Sequence, residues 1–303
     1  MVAAAAATVS YTRPPPPGKR AGRTVDGELW SKLRPALAIS TFAEHDTLAD
    51  SDDPHVVEVQ DARGLSVPPT LATHGFELRH SPSQVTEWQR APETVAKVCA
   101  EAEEIVRQAT GAASAISFDN TWRNSCRSNF DSSLGPGGRA SAFSAAVARV
   151  HTDFTPDSAL AKVEQLRARG LLPPEACDGE RFYRAIVNVW RAYGPGDKVR
   201  SAPLALIAAD SVAASEGFPY ALVHGDEAGI NGSLAYNGRH RWHYYSEMLR
   251  DEVLLFLNFE EQEDASAPRC VYHAALDAAR AMDEPPGRLS VEVRVLALFP
   301  RGS

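Results

Sequence analysis

The pattern of apolar and polar positions changes character near Arg181. Beyond it, FYRAIVNVW, PLALIA, YALVH, RWHYYS, VLLFLNF, VYHAA and SVEVRVLALF are short, rich in β-branched and aromatic residues, and separated by turn-like text. Runs spaced in this way, without long helical patterns between them, predict the strands of a sandwich, jelly roll or barrel and not a βαβ sheet. Upstream the text is mixed. HVVEVQDARG and GFELRH predict strands between Ser51 and His80. From Pro92 to Gly111, the residues Val95, Val98, Ala102, Ile105 and Val106 recur near helical spacing, with proline at the start and glycine at the end. ISFDNTWRNS reads as a strand and SNFDSSLGPGGRAS as a flexible loop. SALAKVEQLRARG reads as a second helix, capped by Asp157 or Ser158 and stopped at Gly170. The low-complexity residues 1–25, with AAAAA and PPPPGKR, are expected to form a disordered arm, leaving 26–301 as one domain.

Composition narrows the class. Of 303 residues, 44% are hydrophobic and 23% charged, which suits a globular chain with a substantial core. A net charge of -8 argues against nucleic acid or an anionic membrane as partner, and no apolar run is long enough to span a bilayer. Arg13, Lys19 and Arg20 follow the apolar MVAAAAATVS, the wrong order for a signal peptide. Cys99, Cys126, Cys177 and Cys270 are widely spaced with no C-x-x-C pair. Free thiols in a reducing compartment, hence a cytoplasmic location, are expected. The chain carries no signal for an oligomeric state.

The candidate chemistry centres on VHTDFT. On an extended strand His151 and Asp153 point to the same side, so an imidazole and a carboxylate could share one metal ion. With a distant third histidine they would form a two-His-one-carboxylate facial triad, which leaves positions open for substrate and O2. His224, His240, His243 and His273 are the candidates for that third ligand. A triad ahead of a β-rich half suggests an α+β, mainly β chain with a double-stranded β-helix (jelly roll) core flanked by helices. Fifteen positions after His273 comes Arg288, in GRLSVEVRV. Arg288 and Ser290 share a strand face, and a guanidinium fork beside a hydroxyl suits the distal carboxylate of 2-oxoglutarate. The competing reading makes Arg288, Ser290, Glu292 and Arg294 the solvated face of a final strand, with Val291, Val293 and Val295 in the core.

These residues, with a TGA turn at Thr110–Ala112, FDNTWR, FYRAIVNVWR, PLALIAADSV and HRWHYYSEMLRDEVLLF, carry a family resemblance from Gly75 to Phe299. The chain resembles non-heme Fe(II)/2-oxoglutarate-dependent oxygenases related to the cephamycin 7-alpha-hydroxylase component, the aspergillic acid hydroxylase and fungal gibberellin desaturases. The resemblance implies that His151, Asp153 and His273 hold Fe(II). It implies that Arg288, with Ser290, holds 2-oxoglutarate, and that O2 is the second co-substrate. The same likeness makes Asn188 and Arg191 candidates for the co-substrate or substrate pocket. Three apart on a strand, those two face opposite sides, so one is expected to be structural. Arg123, Trp242 and Tyr245 join Arg191 as candidate substrate-pocket residues, because aromatic walls with one or two cations suit a polar natural product. The implied reaction is hydroxylation or desaturation of a C–H bond, with release of succinate and CO2. A metal-dependent hydrolase on the same barrel, or a silent barrel that binds a small molecule, are the other classes open to this text.

Overall fold

The computed structural model describes residues 4–14, 21–24, 52–124, 147–193, 198–224, 227–261, 269–276 and 288–301. Strand alternation begins earlier than the composition suggested. β1 (Ala4–Thr12) turns Ala7, Val9 and Tyr11 inward and pairs over its whole length with β3 (Asp52–Asp61). The expected disordered arm is therefore corrected for this segment: the alanine run is one half of a strand whose other half supplies a buried aromatic. β2 (Ala21–Thr24) pairs in parallel with β9 (Gly217–His224).

The predicted helices form. A single turn, α1 (Leu71–His74), leads through Gly75 at φ +82 into β4 (Phe76–His80). Glycine is required there, since a Cβ would also lie 2.6 Å from Val271 Cγ2. α2 (Pro92–Thr110) buries Val98, Ala102 and Val106, each valine contributing about 1.5–3 kcal/mol and the alanine methyl about 0.8 kcal/mol. It packs on β5 (Ser114–Asn124), β7 (Phe182–Ala192) and β14 (Leu289–Pro300). α3 (Pro156–Ala168) is capped by Thr155 and not by Asp157 or Ser158. Thr155 and Ser158 form a reciprocal capping box, with Pro156 at the first helical position. The loop predicted over SNFDSSLGPGGRAS lies outside the described residues.

The chain is mainly β, in two sheets. One has five strands in the order β4, β12 (Glu252–Glu260), β7, β14, β5. The other has nine, in the order β1, β3, β11 (Trp242–Tyr244), β8 (Leu204–Ile207), β13 (His273–Ala275), β6 (His151–Thr152), β10 (Glu227–Leu234), β9, β2. The nine-stranded sheet curls. β1 returns to the residues before β6, with Val150 N donating to Ser10 O at 2.8 Å and Ser10 N to Ala148 O at 3.3 Å. That curl closes around a second core of Tyr11, Val59, Trp242 and Tyr272, separate from the larger core around Phe76, Trp190, Leu254 and Phe256. Among the described residues no helix is long and apolar enough to cross a membrane.

Candidate metal centre and cavity

Three side chains converge where the two sheets meet. β6 runs between β13 and β10, and its register sets His151 opposite His273 on one side and opposite Ser233 on the other. The next pair on that side sets Gly232 opposite Thr152, where a Cβ would stand 2.5 Å from Thr152 Cγ2. Only glycine lets the strands approach so closely. Ligand atoms of His151, Asp153 and His273 all lie within 4.8 Å of one another.

Both imidazoles are oriented in the same way. His151 Nδ1 lies 2.8 Å from the carbonyl of Arg149, and His273 Nδ1 3.4 Å from that of Val271. A carbonyl only accepts, so Nδ1 carries the proton in each ring and Nε2 presents its lone pair. Burial pushes the His151 pKa down to about 4, and the neighbouring His273 adds to the effect. His273 is lowered by burial as well. Burial would raise Asp153, but the Arg294 guanidinium and the two histidines outweigh it and hold the carboxyl well below its usual range. Two neutral nitrogen donors and one anionic oxygen donor result.

Asp153 Oδ1 lies 3.7 Å from His151 Nε2. The other oxygen, Oδ2, accepts from Asn188 Nδ2 at 3.0 Å, Asn258 Nδ2 at 2.9 Å and Arg294 Nε at 2.9 Å. Arg294 is engaged at every nitrogen, with Nη1 donating to Asp119 at 2.6 Å and Nη2 to Glu292 at 2.9 Å. Burial raises the pKa of Glu292.

Arg288, Ser290, Glu292 and Arg294 are all buried, so the solvated-face reading of the last strand does not hold. The alternation is genuine, but the second face looks into the protein. Arg288 Nη1 donates to the carbonyl of Ala202, and its Cζ lies 5.4 Å from the Trp190 ring centroid. Burial and the nearby Arg123 push its pKa down to about 9, which leaves it a cation at neutral pH. Ser290 Oγ is buried with no hydrogen-bond partner.

A cavity of about 460 Å³ opens on His151 and Asp153, lined also by Arg123, Arg149, Tyr220 and Arg294 among others. Arg123 is thus at the cavity. Asn188 faces the metal site and Arg191 does not. The Arg191 guanidinium donates to the carbonyls of Ser81 at 2.7 Å and Arg250 at 2.9 Å, so it fastens loops on the outer face. Trp242 and Tyr245 are likewise corrected: both are core residues. Trp242 Nε1 donates to Tyr11 Oη at 3.0 Å in the second core, and Tyr245 packs edge-on against Phe76 in the larger one. His243 lies two strands from His273, between His74 and Phe76. His240 bonds Tyr11 and Glu216. The side chain of His224 is outside the described residues.

Asn258 escaped the reading of the sequence. It sits at a β-bulge, where the β12–β7 register shifts between Leu257 and Phe259. Its signal was the lone amide inside VLLFLNF, since a buried amide demands partners.

Comparison with known proteins adds to this geometry. The family model "YDMC: Oxidoreductase/YMDC permease-like domain" matches residues 28–298. The hydroxylase/desaturase efuI of Hormonema carpetanum is 32% identical over 161 residues, which span 50% of this chain and 51% of that protein. The alpha-ketoglutarate-dependent dioxygenase tstK of Talaromyces stipitatus is 26% identical over 245 residues, 76% of this chain and 80% of that protein. Among solved structures, the iron and alpha-ketoglutarate-dependent endoperoxidase NvfI is similar in fold, with TM-score 0.72 and 21% identity over 98% of this chain and 99% of that one.

Proposed function

Since this chain belongs to the family of the oxidoreductase/YMDC permease-like domain, we propose that it is an Fe(II)- and 2-oxoglutarate-dependent dioxygenase. Its substrate on this reading is a small natural product, hydroxylated or desaturated at a C–H bond. The observation that carries the reading is the triad, with two Nε2 lone pairs and one carboxylate oxygen converging within 4.8 Å beside a cavity. That N,N,O donor set fits Fe(II) and leaves positions open. The names of tstK and efuI agree with it. The likeness to NvfI in fold supports a double-stranded β-helix core, within a single domain that spans most of the chain.

When bound, Fe(II), 2-oxoglutarate and O2 supply the oxidising power for C–H cleavage, with the co-substrate converted to succinate and CO2. His151, Asp153 and His273 would hold the metal. Arg288 and Ser290 would take the distal carboxylate of the co-substrate: a buried guanidinium, and a buried hydroxyl whose Oγ has no hydrogen-bond partner, supply the complementary donors. Arg294 cannot compete for that carboxylate, because Asp153, Asp119 and Glu292 already occupy it. Arg123 adds positive potential to the cavity. Tyr220 and Asn231, register partners on β9 and β10, line the same cavity and offer polar contacts to a substrate. Cys99, Cys177 and Cys270 are free thiols, in keeping with a cytoplasmic setting.

Anaerobic titration of the Fe(II)-loaded protein with 2-oxoglutarate tests the proposal through the weak visible charge-transfer band of the chelate. The band is expected in the wild type, absent in His151→Ala and much weaker in Arg288→Ala. Iron binding without any band would overturn the co-substrate assignment, and no iron binding would overturn the triad.

A further inference from the structure

All three candidate metal ligands belong to the nine-stranded sheet or to the residue that follows its strand β6. The three donors to Asp153 Oδ2 all belong to the five-stranded sheet: Asn188 on β7, Asn258 on β12 and Arg294 on β14. Asn258 is the most committed of them. Its Oδ1 accepts from Thr152 Oγ1 at 3.2 Å and from the Asp153 backbone N–H at 3.3 Å, while its Nδ2 serves Asp153 Oδ2 and the amide oxygen of Asn188. One buried amide therefore grips the backbone and the side chain of the same ligand. It can do so because the bulge takes it out of the β12–β7 register.

We infer that Asn258, with Asn188 and Arg294, is a positioning residue for the metal centre, and that metal binding is thereby coupled to the contact between the two sheets. This rests on the metal site proposed above. Three donors on Oδ2 leave Oδ1 as the oxygen that faces the histidines. Without them the carboxylate can rotate and offer both oxygens, which changes the coordination number and closes a position that substrate or co-substrate needs. Partners that orient a metal ligand typically govern affinity by about 10–100-fold.

The test is Asn258→Leu, which keeps the branched side-chain shape in a somewhat larger volume and removes every side-chain hydrogen bond. Co(II) titration of the metal-free protein reads affinity, and the visible Co(II) absorption reads coordination number. Melting with and without metal reads the coupling. A 10- to 100-fold loss of Co(II) affinity is expected. The Co(II) spectrum should change, and the rise in melting temperature that metal gives the wild type should shrink. A variant with wild-type affinity and an unaltered spectrum overturns the inference. So does one whose melting falls equally with and without metal, because that is a packing effect. A wild type that binds no Co(II) or Fe(II) overturns the proposed function instead. If Asn258→Leu does not fold, Asn188→Leu carries the same expectation and the same overturning results.

Discussion

His151 and His273 face each other across neighbouring antiparallel strands, with ring centroids 4.4 Å apart and planes tilted by 50°. One register pair thus joins ligands from distant parts of the chain. A slip of one residue would turn one ring to the opposite face of the sheet. The register is held by the close pairing of Thr152 with Gly232 on one side and of His273 with Leu206 on the other. What makes this protein chemically capable is therefore strand registration, with the donor types supplied by the sequence.

Ser290 separates co-substrate binding from stability. Its buried Oγ has no partner, so Ser290→Ala removes nothing the folded protein uses by itself. A hydrogen bond to a bound, charged carboxylate contributes about 1.5–3 kcal/mol net, which corresponds to roughly 10- to 150-fold in affinity. Ser290→Ala is expected to weaken 2-oxoglutarate binding by that factor in calorimetric titration, with an unchanged or slightly raised Tm. A large drop in Tm with unchanged affinity would contradict it.

Arg191 predicts the reverse. Its guanidinium ties the carbonyls of Ser81 and Arg250 to β7 and lies 3.9 Å from Glu101 of α2. Arg191→Ala is expected to cost about 2–4 kcal/mol in urea unfolding, from lost charge-assisted bonds and buried packing. Affinity for 2-oxoglutarate in the folded fraction should not change.

His243 gives the protein an acid-sensitive term. Burial, with His74 and Arg241 nearby and Asp210 opposing them, lowers its pKa from 6.5 to about 4. Between those values the unfolded chain binds the proton and the folded one does not, so stability rises with pH across that window and is lost as pH falls through it. The full effect is about 3 kcal/mol. Comparing urea midpoints at pH 7.5 and pH 4.5 should show a steeper loss in the wild type than in His243→Leu. Equal losses would mean that His243 titrates normally.

Tyr11 tests the N-terminal strand. Its hydroxyl accepts from Trp242 Nε1 at 3.0 Å and meets His240 Nδ1 at 2.9 Å. Tyr11→Phe strands both partners in the second core, at a cost of about 1–3 kcal/mol in unfolding free energy. A variant as stable as the wild type would show that the Tyr11 hydroxyl bonds contribute nothing to that core.

Periodicity alone determined much of this protein. The apolar spacing from Val95 to Val106 set α2, because a helix of that length buries one stripe whatever it packs on. The short apolar runs after Arg181 set β7, β12 and β14, and H-x-D with a later histidine supplied the donor types. Tertiary structure decided which face of each strand met what. Arg288, Ser290, Glu292 and Arg294 alternate with valines just as an exposed face would, and only the opposing sheet makes them interior. The choice of His273 over His243 was a matter of strand order, β13 lying beside β6 while β11 lies two strands further on. Arg191, Trp242 and Tyr245 carry side chains that suit a pocket, yet packing turned them to the outer face or the cores. Asn258 reached Asp153 because of a one-residue shift in pairing. Local sequence sets the period of a strand, whereas its neighbours, its register and the sheet across from it are non-local, and the metal centre is built from those.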